Sequence, residues 1–252
     1  MISSILLNQE GFIGDTMQFL STHHDYYQER GKFNNMAIVI DGIIGAGKSV
    51  IGTFLSEELE MPLFQELKSD GEASLAQRML DRFYEDPPRW SAVIQIMFLK
   101  DRFKDILKIE AEGNRAILDR SIYGDEIFAK TIFERGEMTA DEFEIYQQLL
   151  GEMLQFIKPP ELLIYIDVTV DTALQRIAKR SRSTEESTIS RTYLEDLKTH
   201  YEAWFASYDL SPKIRIDLNE SAFDEVTGQV KDAFKTALLG RVNEVLNNTD
   251  RL

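Results

Sequence analysis

The stretch Asp41-Gly42-Ile43-Ile44-Gly45-Ala46-Gly47-Lys48-Ser49-Val50 sets two glycines five residues apart, with a lysine and a serine directly after the second. These residue types at this spacing suit the phosphates of a nucleotide. Glycine allows positive φ and close approach, so successive N–H groups can converge on phosphate oxygens. Lys48 would bridge the β- and γ-phosphates and Ser49 would help hold Mg²⁺. Contacts to ATP are expected from Gly42, Gly45, Ala46, Gly47, Lys48, Ser49 and Val50. The cradle does not say where the phosphate goes. Water, another phosphate and a neutral alcohol each need different partners elsewhere in the chain.

Four further segments bear on the acceptor. Glu66 follows a short apolar stretch and should lie at the carboxyl edge of a strand, where open parallel sheets bind ligands, although a lone Glu there is commonly a solvated loop residue. Asp119 and Arg120 emerge from the apolar run "RAIL"; the acid suits Mg²⁺ and the arginine could clamp a transferred phosphoryl group. Arg176 and Arg180 share a helix face with Lys179 and Arg182 close by, which reads either as a solvated basic turn or as a lid whose arginines close on phosphates. Gln95, Phe98 and Arg102 recur at three- and four-residue spacing, so amide, ring and guanidinium line one stripe that could face a flat heterocycle. Taken alone, that stripe is also the polar edge of an amphipathic helix.

The elements that must carry these residues follow from patterning. "MAIVID" reads as a buried strand, and Val50, Ile51, Phe54, Leu55 and Leu59 have helical periodicity, giving strand, glycine loop and helix in succession. Strands are expected near 36–41, 62–66, 115–119, 162–168 and 213–218, a long helix opening at Pro87 and Pro88, a helix from Asp171 to about Ser183, and a C-terminal helical stretch over about 221–247. The fold class is α/β: a three-layer α/β/α domain with a mostly parallel five-stranded sheet and an Arg-rich lid at about 176–190. Residues 1–35 form an N-terminal extension without a legible chemical signature, and 36–252 the phosphate-binding domain.

Composition narrows the partners. The 252 residues are 43% hydrophobic and 10% aromatic, enough for a sizeable core. A net charge of −15 repels polyphosphate polymers, so nucleic acid is not an expected partner. The absence of cysteine excludes disulfides, thiolate catalysis and Cys-based zinc sites. No run approaches the roughly 20 apolar residues that span a bilayer, and the first cation is Arg30, so a cytoplasmic protein without a membrane partner is expected.

In order and spacing, "GIIGAGKS", "YEDPPRWSAVIQ", "DRSIYGDEIFA" and "QRIAKRSRSTEE" resemble the deoxynucleoside kinase family, from about Met36 to Glu220. "DRS" in place of "ERS" looks more like its bacterial deoxyadenosine and deoxyguanosine kinases. The resemblance implies transfer of the ATP γ-phosphate to the 5′-hydroxyl of a deoxynucleoside, purines favoured and deoxycytidine not excluded. It implies Glu66 as catalytic base, Arg120 beside the 5′-oxygen, and Tyr84 with Glu186 on the 3′-hydroxyl. Gln95, Arg102 and Asp125 would bond the base, while Phe98, placed against it by helical spacing, and the second proline differ from the family's pattern. Arg176, Arg180 and Arg182 would be lid arginines, Asn219 and Glu220 would lie near the ATP adenine, and the protein would be a homodimer. The lid is one residue longer before its paired glutamates than the usual pattern, which leaves Glu185 and Glu186 as rivals for the sugar, Glu186 preferred.

The chemistry agrees with an alcohol acceptor. A 5′-hydroxyl is a poor nucleophile, and a positioned carboxylate that takes its proton contributes roughly 10²–10⁴ in rate. A thymidylate kinase-like nucleoside monophosphate kinase shares cradle and lid, but its anionic acceptor needs extra cations and no general base. A GTPase switch should carry Asn-Lys-x-Asp, and none occurs.

Overall fold

The computed structural model describes residues 37–66, 74–179, 189–219, 222 and 230–249. One sheet holds five strands, β1 (Ala37–Asp41), β2 (Leu63–Phe64), β3 (Ala116–Asp119), β4 (Leu162–Asp167) and β5 (Lys213–Asp217), in the order β2-β3-β1-β4-β5. Every pairing is parallel, so the sheet expected to be mostly parallel is wholly so. Helices make this possible by returning the chain between strands. They are α1 (Lys48–Leu59), α2 (Leu75–Glu85), α3 (Pro87–Glu112), α4 (Asp125–Glu134), α5 (Ala140–Leu154), α6 (Val170–Lys179), α7 (Arg191–Ser207) and α8 (Asp232–Thr249).

Burial follows position in the sheet. Every residue of β1 and β3 is buried, as is all of β4 but its last. That is why these strands read as unbroken apolar runs: helices cover both faces. Edge strand β5 alternates instead, Ile214 and Ile216 inward and Arg215 and Asp217 outward. The chain leaves β1 for one side of the sheet and later crosses to the other, so strand order reverses at β1. Crevices beyond the carboxyl ends of strands at such a reversal are where ligands bind. Asp41, Asp119 and, just past β2, Glu66 all lie along that edge.

Helix starts are set locally. Pro87 and Pro88 occupy the first turn of α3, where the missing N–H costs nothing. Ser190 accepts from Tyr193 N at the start of α7, and Thr139 and Glu142 form a reciprocal capping box on α5. The C-terminal helix starts at Asp232 rather than near 221. Ala222 N donates to Asn219 O and Lys231 N to Ala222 O, so the chain turns after β5 before α8 can begin. The helix expected from Asp171 is α6; its continuation to Ser183 and most of the lid lie outside the described residues, as does the N-terminal extension.

Candidate active site

The glycine loop joins β1 to α1 and its backbone needs glycine. Gly42, Gly45 and Gly47 have φ of 151°, 78° and 98°. A Cβ on Gly42 would lie 2.7 Å from Ile166 O, and one on Gly45 2.6 Å from Ala173 O. The loop therefore packs against β4 and α6 as well as curling around its own centre. Ala46 is buried within it, and the Val50 side chain turns outward, half exposed.

Lys48 is 7% exposed, its Nζ donating to the carbonyls of Gly42 (3.3 Å) and Ile43 (3.1 Å). Burial, with Arg120 nearby, brings its ammonium down to about 8 against partial compensation from Asp119 and Glu66. Ser49 Oγ donates to Asp119 Oδ2 at 2.8 Å. Asp119 Oδ1 is buried without a protein partner among the described residues, and burial raises this carboxyl despite Lys48. A hydroxyl and an underused carboxylate beside a phosphate cradle fit Mg²⁺, which typically takes one or two carboxylates and fills its octahedron with phosphate oxygens and water.

Glu66 lies between two arginines. Its Oε1 accepts from Arg102 Nη2 at 2.7 Å and its Oε2 from Arg120 Nε at 2.9 Å. Burial pushes the carboxyl up, but Arg120 and then Arg102 outweigh it and hold Glu66 at about 2. Arg120 itself is held strongly protonated: burial opposes its charge, and Glu66, Tyr201 and Asp41 overcome that.

Glu66 lines a cleft of about 230 Å³ together with Lys48, Ser49, Tyr84, Gln95, Phe98 and Arg102. That is smaller than the roughly 300–1,000 Å³ of sites for drug-sized ligands, and suits one small molecule. The helical stripe read from spacing is real: α3 presents Gln95, Phe98 and Arg102 to one space. Gln95 Oε1 and Arg102 Nε are buried and lack protein partners among the described residues. A flat heterocycle with a donor and an acceptor on its edge would satisfy both. Asp125 stands one layer back, 1% exposed, paired with Arg102 Nη1 and accepting from the Tyr146 hydroxyl at 3.1 Å.

Two residues expected near ATP are occupied within the protein. Arg176 donates to Ala46 O (2.9 Å) and Leu218 O (2.6 Å), tying the glycine loop to the end of β5. Asn219 Oδ1 accepts from Thr169 N (2.9 Å) and the Thr172 hydroxyl (3.1 Å) at the start of α6. Arg180, Arg182, Glu186 and Glu220 lie outside the described residues. Sequence reasoning did not single out Asp41, Tyr201, Phe128 or Tyr193, which line or back the site. Asp41 had one signal, an acid ending a strand directly before the first glycine. Tyr201 had none, because only folding brings α7 to β1.

The deoxynucleoside kinase family profile matches residues 38–239. A deoxyguanosine kinase of Lactobacillus johnsonii is 37% identical over 188 residues, 71% of this chain and 81% of that protein. A deoxyadenosine/deoxycytidine kinase of Bacillus subtilis is 34% identical over 206 residues, 78% and 92% of the two chains. The solved structure of a deoxyadenosine kinase from M. mycoides, with dCMP and a flexible dCDP bound, superposes with a TM-score of 0.68 at 26% identity, covering 83% of this chain and all of that one. The same enzyme with dATP bound gives 0.67 at 25% identity. The family match spans four-fifths of the chain's length, and this chain belongs to the deoxynucleoside kinases.

Proposed function

We propose that this protein transfers the γ-phosphate of ATP to the 5′-hydroxyl of a deoxynucleoside, with deoxyadenosine and deoxyguanosine favoured over deoxycytidine. The observation that carries the reading is that Glu66, bonded to Arg102 and Arg120, shares one cleft with Lys48 and Ser49 and with Gln95, Phe98 and Arg102. Names of relatives, a deoxyguanosine kinase and a deoxyadenosine/deoxycytidine kinase among them, support the substrate class. They also favour it over a nucleoside monophosphate acceptor.

In this reading the base enters the cleft, its edge taking up Gln95 Oε1 and Arg102 Nε, while Phe98 and Tyr84 flank the ring and sugar. Glu66 accepts the 5′-hydroxyl proton as the new O–P bond forms. Arg120 and Lys48 stabilise charge on the phosphoryl group in flight. Ser49 and Asp119 would hold Mg²⁺, which would neutralise charge on the triphosphate. Arg180 and Arg182 would approach the phosphates, Glu186 the sugar and Glu220 the adenine; Arg176 would act through the loop it ties down. Water kept out of the cleft limits wasteful hydrolysis.

The protein is further proposed to work as a homodimer in the cytoplasm, in nucleoside salvage. Val93 and Leu107 on α3, Ile145 on α5 and Phe156 just beyond it are exposed on neighbouring long helices, which supports association there. Among the described residues no helix is long and apolar enough to cross a membrane. A radiolabelled transfer assay against the four deoxynucleosides, their ribonucleosides and their monophosphates tests the function. Labelled monophosphates from deoxynucleosides are expected; label appearing only in diphosphates sinks the reading.

A further inference from the structure

Asp41 and Tyr201 take no part in the transfer just described, yet both bond to Arg120, and Gly124 packs against Asp41. Asp41 ends β1 and is 1% exposed. Its Oδ1 accepts from Gly42 N (2.8 Å), from the Tyr201 hydroxyl (2.6 Å) and from Arg120 Nη1 (3.1 Å). Arg120 Nη1 also donates to the Tyr201 oxygen (2.6 Å) and to Gly42 O (2.9 Å). The Phe128 ring covers the guanidinium at 4.4 Å. Residue 124 must be small: a Cβ there would lie 2.4 Å from Asp41 Oδ2. Burial, with Asp41 adding to it, keeps the Tyr201 phenol protonated and so a donor to that carboxylate.

Stability alone does not account for this cluster. Arg120 has a φ of 71°, a left-handed conformation that side-chain-bearing residues adopt only when their surroundings force it. A buried ionic group is also weak evidence for stability, since apolar packing of similar volume often does as well. What the cluster fixes is a direction. Three acceptors hold Nη1 from behind, and Nε meets Glu66 at the cleft.

Resting on the proposed role of Arg120 at the transferred phosphoryl group, we infer that Asp41 and Tyr201 are positioning residues that set the depth and angle of its guanidinium. Tyr201 thereby links α7, the first described helix after the lid, to the reacting centre. A misplacement of about 1 Å by residues outside the chemistry can cost on the order of 10²-fold in rate.

The test is a double-mutant cycle: kcat, both KM values and Tm for the wild type, Tyr201→Phe, Arg120→Lys and the double variant, with a crystal structure of Tyr201→Phe. Tyr201→Phe should lower kcat about tenfold or more with each KM within about twofold, and change kcat by less than about twofold when Arg120 is already Lys. In its crystal structure the Arg120 guanidinium should be displaced. An equal loss in both backgrounds marks a structural role and overturns the inference, as does wild-type kcat in Tyr201→Phe. Should Tyr201→Phe not fold, Asp41→Asn, which keeps the volume, carries the same cycle and the same structural comparison. If wild type transfers nothing to nucleosides, or Arg120→Lys keeps full kcat, the functional reading of Arg120 fails. The crystal structure still decides the inference in that event: an unmoved Arg120 with its Glu66 bond intact overturns it, and a displaced one upholds the pair as what holds Arg120.

Discussion

Glu66 is held at about 2 by two guanidiniums, so it takes a proton from an alcohol only as the O–P bond forms and the oxygen turns acidic. Arg102 is the partner a nucleobase can draw away, since it also lines the cleft with a buried Nε that has no partner among the described residues. Losing that contact on substrate binding would raise the basicity of Glu66 when it is needed. Glu66→Gln should keep nucleoside and ATP binding and lose about 10²-fold or more in kcat, as removal of a general base does; full turnover in steady-state assays would retire the role. Lys48 offers a second check at this scale. Its ammonium is lowered to about 8, and a triphosphate beside it favours the charged form. The sign follows: binding raises the Lys48 pKa, so ATP binding takes up protons where the free enzyme has lost them. At pH 8 the uptake should be about half a proton, fading below pH 7. Calorimetry in buffers of different ionisation enthalpy measures it, and proton release at pH 8 would contradict it.

At the scale of elements, the glycine loop and α3 divide the labour. Gly45 has a φ of 78° and no room for a Cβ against the α6 backbone, so Gly45→Ala must push loop and helix apart. ATP KM should rise about tenfold or more while nucleoside binding, measured by fluorescence, changes little. Helix α3 carries the other half. Arg102→Ala should weaken the nucleoside far more than ATP, because the base edge loses a buried donor and Asp125 keeps only the Tyr146 hydroxyl. Equal losses for both substrates would mean that α3 does not face the base. Arg176 shows how an element can hide a role: on its helix it reads as a lid cation, yet its guanidinium is bonded to Ala46 O and Leu218 O.

For the molecule as a whole, the reversal of strand order at β1 gathers Asp41, Asp119 and Glu66 along one edge although the chain separates them widely. In a protein of net charge −15, Lys48, Arg102 and Arg120 are gathered at that edge beside its carboxylates, where a small anion can meet them and a polyanionic polymer is repelled. The exposed apolar residues on α3 and α5 belong to this scale as well. Light scattering should give twice the mass of the 29.0 kDa chain, and Ile145→Glu with Phe156→Glu should reduce it to the single chain. A monomeric wild type would remove the dimer.

What the sequence determined by itself was local in origin. Buried strands are unbroken apolar runs, so β1, β3 and β4 were legible, and the glycine spacing with its following helix set the cradle within a single turn of chain. The stripe on α3 was legible because helical period alone puts Gln95, Phe98 and Arg102 on one face. Only the tertiary structure decided which charges meet. The pairing of Glu66 with both Arg102 and Arg120, the placing of Asp125 behind Arg102, and the Tyr201–Asp41 contact across 160 residues all depend on how the crossovers stack helices over the sheet edge. The late start of α8 has a similar cause: hydrogen bonds from Ala222 and Lys231 turn the chain first, and no periodicity in 221–231 records that. Side-chain pairing between distant segments is fixed by packing geometry, which residue spacing along the chain does not encode.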